Sequence, residues 1–179
     1  GYAWTSNIPR PLIRKSTKLK ELHQWLIAQN ASGNINRQEA VSMIPPLLLD
    51  VRPGMTVLDL CAAPGSKTAQ LVDFLQADDP HARDRGLVVA NDSDTSRCYM
   101  LVHQLKRFAG DSIVVTNHMG QNFPLLRKGS GEDKTVGVQF DRVLCDVPCS
   151  GDGTMRKSPD VWMKWKSGTG LGMHSLQVS

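Results

Sequence analysis

The sequence predicts an α/β fold with a mostly parallel sheet, because strand-like and helix-like segments alternate along its central part. Short runs of Val, Leu and Ile, typical of strands buried on both faces, alternate with stretches of helical periodicity. Right-handed crossovers between parallel strands bring every strand's carboxyl end to one edge, where such sheets bind ligands. We therefore expect the functional residues to follow the strands.

Two helices are predicted before this alternation begins. In KLKELHQWLIAQN, residues 18–30, leucines recur at helical spacing, and ASGN then ends the helix. RQEAVSMIPPLLLD, residues 37–50, is predicted to form a short helix that breaks at its Pro-Pro pair, because proline lacks the N–H donor. We therefore expect an N-terminal basic and helical segment over 1–50 and the sheet domain over 51–179.

The sheet domain begins with four predicted strands, each followed by a loop at the ligand-binding edge. The strands are TVLDL (56–60), GLVVAND (86–92), DSIVVTN (111–117) and FDRVLCD (140–146). Helices are predicted over 67–76, after the first strand, and over 94–109, after the second. This repeated strand–loop–helix order is the one that a parallel sheet requires.

The composition limits the class of protein. No apolar run in the 179 residues approaches the ~18 that would indicate a membrane span. The four cysteines fit neither a CxxC pair nor a zinc ribbon, and they are too few for a disulfide scaffold. We expect reduced thiols in an intracellular compartment and no metal site, with Cys98 structural in its helix and Cys145 in the core.

Positive charge is concentrated at the amino end. Residues 1–20 contain five basic side chains and no acidic one, whereas the whole chain has a net charge of +4. A basic arm of this kind suits a polyanion such as nucleic acid. The alternative is that these side chains only keep the surface soluble.

The loop after the first strand has the composition of a nucleotide-like binding loop without a phosphate cradle. In LDLCAAPGSKT, residues 58–68, the glycines of a P-loop are replaced by Cys61 and Ser66, and a dinucleotide fingerprint has only Gly65. What remains is a turn of small residues that lets the backbone approach a ligand, followed by a helix N-terminus that can face an anion. Asp92, at the end of the second strand, is placed to bind ribose hydroxyls; the alternative role of helix cap suits Asp94 better.

Three motifs taken together identify a family. LDLCAAPGSKT, AND (90–92) and DRVLCDVPCSGDGTMRK (141–157) resemble the Sun-domain (Nol/Nop/Sun) RNA cytosine-C5 methyltransferases. The upstream stretches AWTSN, IRKS and GNINRQEAVSMIPPLLL resemble the eukaryotic branch that modifies tRNA at several positions. The resemblance implies a Rossmann-like methyltransferase fold, S-adenosylmethionine as cofactor, RNA and above all tRNA as partner, and residence in the nucleus, with the nucleolus as a narrower alternative.

The same resemblance assigns roles to individual residues. Asp92 would hold the ribose of the cofactor, Met119 would lie at its adenine end, and Asp146 would lie between the cofactor and the target base. The methionine end of the cofactor would be surrounded by Cys61, Ala62, Ala63, Pro64, Gly65, Ser66 and Lys67.

The chemistry of cytosine methylation explains a thiol in the loop DVPCSGDGT. Carbon 5 of cytosine is a poor nucleophile until a thiolate adds at carbon 6, so the working cysteine must be accessible and easily ionised. From the sequence alone, Cys149 would be this attacker. By the resemblance, however, the attacker is a second cysteine in a Thr-Cys motif after a later strand, and Cys149 assists product release. A loop thiol without a role remains the third alternative.

Four polar residues are candidates for RNA contact. Arg156 and Lys157 follow the Pro-Cys loop, where phosphate contact competes with a simple solvated surface. Arg37 and Gln38 are expected to position the RNA or the target base, although they equally suit the polar first turn of a helix.

The chain departs from the family pattern at its carboxyl end. It stops at MHSLQVS, residues 173–179, before the later strands and the Thr-Cys loop. We expect four strands in the order 3-2-1-4, which would hold the cofactor loops and leave the fourth strand at an edge. We further expect that this fragment does not methylate RNA by itself. The alternative function is a catalytically inactive RNA-binding or cofactor-binding module.

A second departure concerns Met119. Members of the family usually carry an acid near this position, where it contacts the adenine of the cofactor. A thioether can pack on the ring but is a poor hydrogen-bond acceptor for its amino group. We therefore expect weak binding of S-adenosylmethionine.

Overall fold

The computed structural model describes residues 4–76, 86–108, 110–127, 137–156 and 158–178. Four strands form one sheet in the order β3-β2-β1-β4, and every pairing is parallel. The predicted fold class and strand order are thus confirmed. The strands are β1 (Thr56–Asp59), β2 (Leu87–Asn91), β3 (Ile113–Thr116) and β4 (Arg142–Leu144).

Seven α-helices surround or precede this sheet in the described part of the chain. None of them is long and apolar enough to cross a membrane. The helices that follow β1 and β2 lie within two residues of their predicted starts. The helices are α1 (Arg10–Lys15), α2 (Lys20–Ala31), α3 (Ala40–Leu48), α4 (Ser66–Leu75), α5 (Thr95–Gln104), α6 (Pro159–Lys164) and α7 (Ser167–Gln177).

The prediction that the third helix breaks at its Pro-Pro pair is wrong. α3 continues through Pro45 and Pro46 to Leu48. In a helix, the missing N–H of Pro46 would leave the carbonyl of Ser42 without its usual donor. The side-chain amide nitrogen of Gln38 donates to that carbonyl at 3.0 Å, so a side chain replaces the lost backbone hydrogen bond.

The core has two parts, both dominated by aliphatic side chains. In the first, strand residues pack against the buried stripe of α4, whose members recur at helical spacing. In the second, α5 packs on the loop after β1 through unusually small partners, so the two approach closely. The first cluster is Val57, Leu71, Val72, Leu75, Val88 and Leu144, and the second is Ala62, Ala63, Ala69, Ala90, Leu101 and Leu105.

β4 lies at the edge of the described sheet, which explains why a second prediction is wrong. Cys145 was expected in the core, but its side chain is exposed. Alternate residues of a strand face opposite sides of the sheet. Leu144 faces the core and is 5% exposed, whereas Val143 and Cys145 face the side that is open in the described part of the chain.

Because α5 packs closely against the loop after β1, we predict that a side chain at position 65 destabilises the protein. Gly65 has a φ of +110°, and a Cβ atom built there would lie 2.9 Å from Cδ1 of Leu101. We expect Gly65→Ala to lower the free energy of unfolding by about 1–2 kcal/mol for backbone strain and by roughly 1–3 kcal/mol more for overpacking. Urea denaturation measures this loss.

Gly54→Ala is the matched control for that substitution. Gly54 also has a positive φ, of +84°, but a Cβ atom added there would have no neighbour within 4 Å. It should therefore show the strain component alone. An equal loss of stability in both variants would contradict the packing role of Gly65.

Candidate functional site

A cavity of about 290 Å³ opens beside the carboxyl end of β1. It brings together residues from three parts of the chain: the segment before α3, the loop and first turn between β1 and α4, and the loop after β4. Nine of its lining residues are among those predicted from the sequence. The lining is Arg37, Gln38, Glu39, Val41, Ser42, Asp59, Cys61, Ala62, Ala63, Pro64, Ser66, Lys67 and Asp146.

The loop from Leu60 to Gly65 is held by the ends of the neighbouring strands. The backbone N–H of Ala62 donates to the carbonyl of Asn91 at 2.7 Å, and that of Leu60 donates to the carbonyl of Leu144 at 2.9 Å. The side-chain amide of Asn91 donates to the Leu60 carbonyl at 3.0 Å. Because buried backbone polar groups must be paired, these contacts fix the loop between β2 and β4.

Asp92 does not line the cavity; it is buried behind this loop and bonds to its backbone. Its side chain is 2% exposed, and Oδ2 accepts the N–H of Ala63 at 3.2 Å. The guanidinium of Arg97 lies 3.4 Å from the same oxygen, and Oδ1 accepts the N–H of Asp94 at 3.1 Å. Asp94 is the cap of α5, since its Oδ1 accepts the N–H of Arg97 at 3.0 Å. The prediction that Asp94, and not Asp92, caps the helix is therefore confirmed.

The small residues of the loop pack against α5 and also leave the cavity open to a ligand. Ala62 and Ala63 are buried, and both belong to the cluster formed with Leu101 of α5. Gly65 caps α4 and has no room for a side chain on the α5 side. The same small side chains therefore let α5 approach one side of the loop and leave backbone open to the cavity on the other.

Asp59 is a buried acid that the sequence patterns did not single out. It ends β1, lines the cavity and is 1% exposed. Thr68 donates its hydroxyl to Oδ2 at 2.8 Å, while Oδ1 has no hydrogen-bond partner among the described residues. A buried polar atom without a partner costs stability, so it marks a place where a ligand atom would be favoured. The available signal was the acid itself, placed immediately before the loop.

Burial gives Asp59 an unusual acidity. Desolvation raises the pKa of its carboxyl from 3.8 to about 6, against the opposing effects of the Thr68 hydroxyl and the positive charge of Lys67. The negative charges of Asp146 and Asp92 raise it further. Asp59 is therefore poised to change charge in mildly acidic solution.

Lys67 joins the two loops that border the cavity. It lies in the first turn of α4, and its Nζ is 2.6 Å from Oδ2 of Asp146, which follows β4. The lysine is largely buried and the aspartate is half exposed. The contact holds a half-exposed acidic side chain in the wall of the cavity.

Cys61, in the cavity wall, and Cys149, on the loop after β4, are in different environments. Burial raises the pKa of the Cys61 thiol, and the negative charges of Asp92 and Asp59 raise it further, so its thiolate is disfavoured. Cys149 is exposed on the loop after β4 and does not line the cavity. That loop is tied to α7, since the side-chain amide of Gln177 donates to the Pro148 carbonyl at 2.8 Å. Cys149 is therefore the more accessible of the two.

The remaining predicted residues are distributed around the cavity. Arg37 and Gln38 line it, but the amide nitrogen of Gln38 is used by Ser42 and by Oε1 of Gln70 at 3.1 Å. Met119 is 58% exposed in the turn after β3, and Arg156 is exposed beyond the Pro-Cys loop. Neither lines the cavity. Lys157 lies outside the described residues, within which no cluster of three or more His, Cys, Asp and Glu side chains could hold a metal.

Comparison with known sequences gives one family and close relatives. Residues 46–178 match the family described as 16S rRNA methyltransferase RsmB/F. Over 178 residues the chain is 52% identical to the multisite-specific tRNA:(cytosine-C(5))-methyltransferase of Saccharomyces cerevisiae. It is 51% identical to the tRNA (cytosine(34)-C(5))-methyltransferase of Drosophila melanogaster. Each comparison covers 99% of this chain but only 26% and 24% of those relatives, so the chain spans about a quarter of their length.

Two solved structures share the fold of this chain. The chain superposes on the protein PH0851 with a TM-score of 0.65 and 29% identity, covering 83% of this chain and 30% of that one. It superposes on NSun6 from Pyrococcus horikoshii, solved with SFG, with a TM-score of 0.63 and 19% identity. That second comparison covers 84% of this chain and 35% of the other, and it supports the fold alone.

The raised pKa of Asp59 predicts how stability changes with pH. The folded carboxyl binds its proton more tightly than the unfolded one, whose pKa is near 3.8. The stabilisation is therefore complete below pH 3.8 and is lost as the pH rises through about 6, a change on the order of 3 kcal/mol. In Asp59→Asn this component should be absent, and urea denaturation at a series of pH values measures it.

An exposed acid provides the control. Asp152→Asn removes the same charge from an exposed turn and should keep the fall in stability between pH 4 and 6. If Asp59→Asn keeps that fall as well, another group is responsible and the account given for Asp59 is wrong.

Proposed function

The chain belongs to the RsmB/F family of 16S rRNA methyltransferases, and from this premise we propose that it forms part of an enzyme that methylates carbon 5 of cytosine in RNA. The observation that carries the proposal is the cavity at the carboxyl end of β1, where a buried acid, a lysine and a second acid meet a helix N-terminus. The relatives named above act on tRNA by their descriptions, so tRNA is the proposed substrate. Residues 51–179 are proposed as the amino-terminal part of the catalytic domain.

We propose S-adenosylmethionine as the cofactor, and the donor set of the cavity fits it. A zwitterionic amino-acid end needs an acceptor for its ammonium group and donors for its carboxylate. Asp59 offers Oδ1, which has no partner among the described residues, at the wall of the cavity. The first N–H groups of α4, which no side chain caps, and the ammonium of Lys67 offer donors. When bound there, the cofactor supplies an electrophilic methyl group.

In this proposal the loop after β1 holds the methionine end of the cofactor. Cys61, Ala62 and Ala63 line the cavity with small side chains, and Pro64, Ser66 and Lys67 continue its wall. Gly65 contributes by allowing the turn into α4. Asp92, already bonded to the Ala63 N–H, would have to share its carboxylate with the ribose hydroxyls, while Met119 would lie at the adenine end.

We propose that Asp146 and Cys149 act on the target base. Lys67 contacts Oδ2 of Asp146 in the wall of the cavity, and the half-exposed carboxylate can also accept a hydrogen bond from the cytosine amino group. Cys149 lies three residues after Asp146 on the same loop. Its thiol is exposed, so it can take part in removing the proton from carbon 5 or in product release. Cys61 is unsuited to attack, because its pKa is raised.

RNA contact and location complete the proposal. Arg37 lines the cavity and Arg156 is exposed beyond the Pro-Cys loop, so both are proposed to contact the RNA near the target base, as is Lys157. Gln38 is a weaker candidate because its amide nitrogen is used within the protein. Nuclear residence is proposed from the eukaryotic relatives alone. A catalytically inactive binding module is not favoured, since the relatives are named as methyltransferases.

Binding and transfer assays test the proposed function. Calorimetric titration with S-adenosylmethionine should show binding to the wild-type chain. Lys67→Met should weaken it roughly 10- to 150-fold, because a charge-assisted hydrogen bond contributes about 1.5–3 kcal/mol. Transfer of a tritiated methyl group to an unmodified tRNA transcript is measured by nuclease digestion. Because this chain is expected to be inactive by itself, 5-methylcytidine in the digest would overturn that expectation and make Cys149 the attacking thiol.

The control replaces an exposed lysine outside the cavity. Lys106→Met should bind the cofactor as the wild type does, since Lys106 is exposed on the carboxyl side of α5. Absence of any cofactor binding would refute the proposed function. Binding without transfer is the result expected of a chain that spans about a quarter of its relatives' length.

Met119 provides a separate test of how the cofactor lies. If the adenine amino group points at this turn, Met119→Asp supplies the missing acceptor and should tighten S-adenosylmethionine binding roughly 5- to 150-fold, the equivalent of about 1–3 kcal/mol. Met119→Leu keeps an apolar side chain and should leave the affinity unchanged. Equal affinities for all three proteins, measured by calorimetry, would place the adenine elsewhere.

A further inference from the structure

The first two helices enclose a second cleft, well separated in sequence from the loop after β1. It has a volume of about 290 Å³. Every side chain that lines it is cationic, hydroxylic, imidazole or amide, and none is a carboxylate. The lining of this N-terminal cleft is Arg14, Lys15, Ser16, Thr17, Lys20, His23 and Gln24.

A sharp change of direction at Ser16 brings these side chains together. α1 ends there, with extended backbone at Ser16 and its N–H donating to the Leu12 carbonyl at 3.0 Å. A single 3₁₀ turn over 17–19 then leads into α2 at Lys20. His23 and Gln24 follow Lys20 by three and four residues, so these side chains share one face of α2. The last turn of α1 and the first turns of α2 thus surround one space.

The positive charge of the cleft is not compensated locally. Within the described residues, no carboxylate forms an ion pair with Arg14, Lys15 or Lys20. Residues 1–31 contain five basic residues and one acid, and the rest of the chain contains 16 of each sign. The whole net charge of +4 therefore resides in the segment that forms the cleft, which is the distribution expected of a polyanion contact.

We propose that the N-terminal cleft binds the phosphodiester backbone of the RNA substrate, an inference that rests on the proposed function. Arginine and lysine contact phosphate oxygens, and hydroxyl and amide side chains complete such sites. Ser16, Thr17 and Gln24 supply those groups between the cations. Contacts of this kind fix the position of the nucleic acid without reading its sequence.

The course of the chain favours an extended strand over a single small anion. α2 ends at Ala31, seven residues beyond Gln24 of the cleft, so it continues for about 10 Å past the cleft. The segment that follows reaches the first cavity, where the Asn36 amide donates to the Ser66 carbonyl at 3.4 Å and Arg37 lines the wall. Exposed Lys18 extends the positive surface beyond the cleft. A strand with its base at the first cavity would pass these cations, all of which precede the matched residues 46–178.

Two double variants test this proposal. Arg14→Gln/Lys20→Gln removes two cations of the cleft, and Lys106→Gln/Arg127→Gln removes the same residue types from exposed positions elsewhere. Affinity for unmodified tRNA is measured by fluorescence anisotropy over a salt series. The cleft variant should lose affinity for all tRNA sequences alike, and its slope of log K against log salt should become shallower by about 1.4–1.8. The control should keep the wild-type slope.

Cofactor affinity and thermal unfolding are measured on the same preparations. Unchanged S-adenosylmethionine binding in a folded cleft variant with the shallower slope supports the proposal. An unchanged slope overturns it, as does an equal loss in the control, a wild type that does not bind tRNA, or a preference for inorganic phosphate or phosphatidylserine vesicles over tRNA. If the double variant unfolds, the single variants should each reduce the slope by about 0.7–0.9. Failure of the wild type to bind cofactor would instead refute the proposed function.

Discussion

The site depends on the pairing of backbone groups in the loop between β1 and α4. This loop is irregular and partly buried, so those of its N–H and C=O groups that do not face the cavity must find partners in the protein. Asn91 and Asp92, at the end of β2, provide them: one through its carbonyl and side-chain amide, the other through its carboxylate. Asn91 also donates to the His118 carbonyl and accepts the His118 N–H. One pair of residues therefore fixes the loops after β1 and β3.

This arrangement explains why Asp92 is hard to interpret from the sequence. An acid at the end of the second strand is typical of a ribose contact. In the structure both of its oxygens already accept backbone N–H groups, and Arg97 neutralises its charge. A carboxylate can accept about four hydrogen bonds, so these contacts use only part of its capacity. Asp92 can therefore hold the loop and bind a ligand at the same time. Because it is buried, its bonds to the loop must form before any ligand can use it.

The order of the strands and the cavity-lining loop could be predicted because both follow from local patterns. Strand periodicity and a glycine turn are visible in a few consecutive residues. What could not be predicted depends on distant partners. The continuity of α3 requires the side-chain amide of Gln38 to donate to the Ser42 carbonyl, and the exposure of Cys145 depends on which face of β4 other parts of the described chain cover. The importance of Asp59 appears only when burial leaves one of its oxygens unpaired. In the sequence it has the pattern of an ordinary strand end.

The contact between Lys67 and Asp146 connects the two halves of the site physically. Lys67 lies in the first turn of α4, directly after the loop that follows β1, and Asp146 belongs to the loop that carries Cys149. A ligand carboxylate that engaged Lys67 would compete with Asp146 for the same ammonium group, because a lysine is a point charge with three donors. Since Lys67 also lowers the pKa of Asp59, any movement of its ammonium changes the charge balance on both sides of the cavity. A ligand carboxylate bound to Lys67 would therefore weaken the contact that holds Asp146, so binding on one side of the cavity is coupled to geometry on the other.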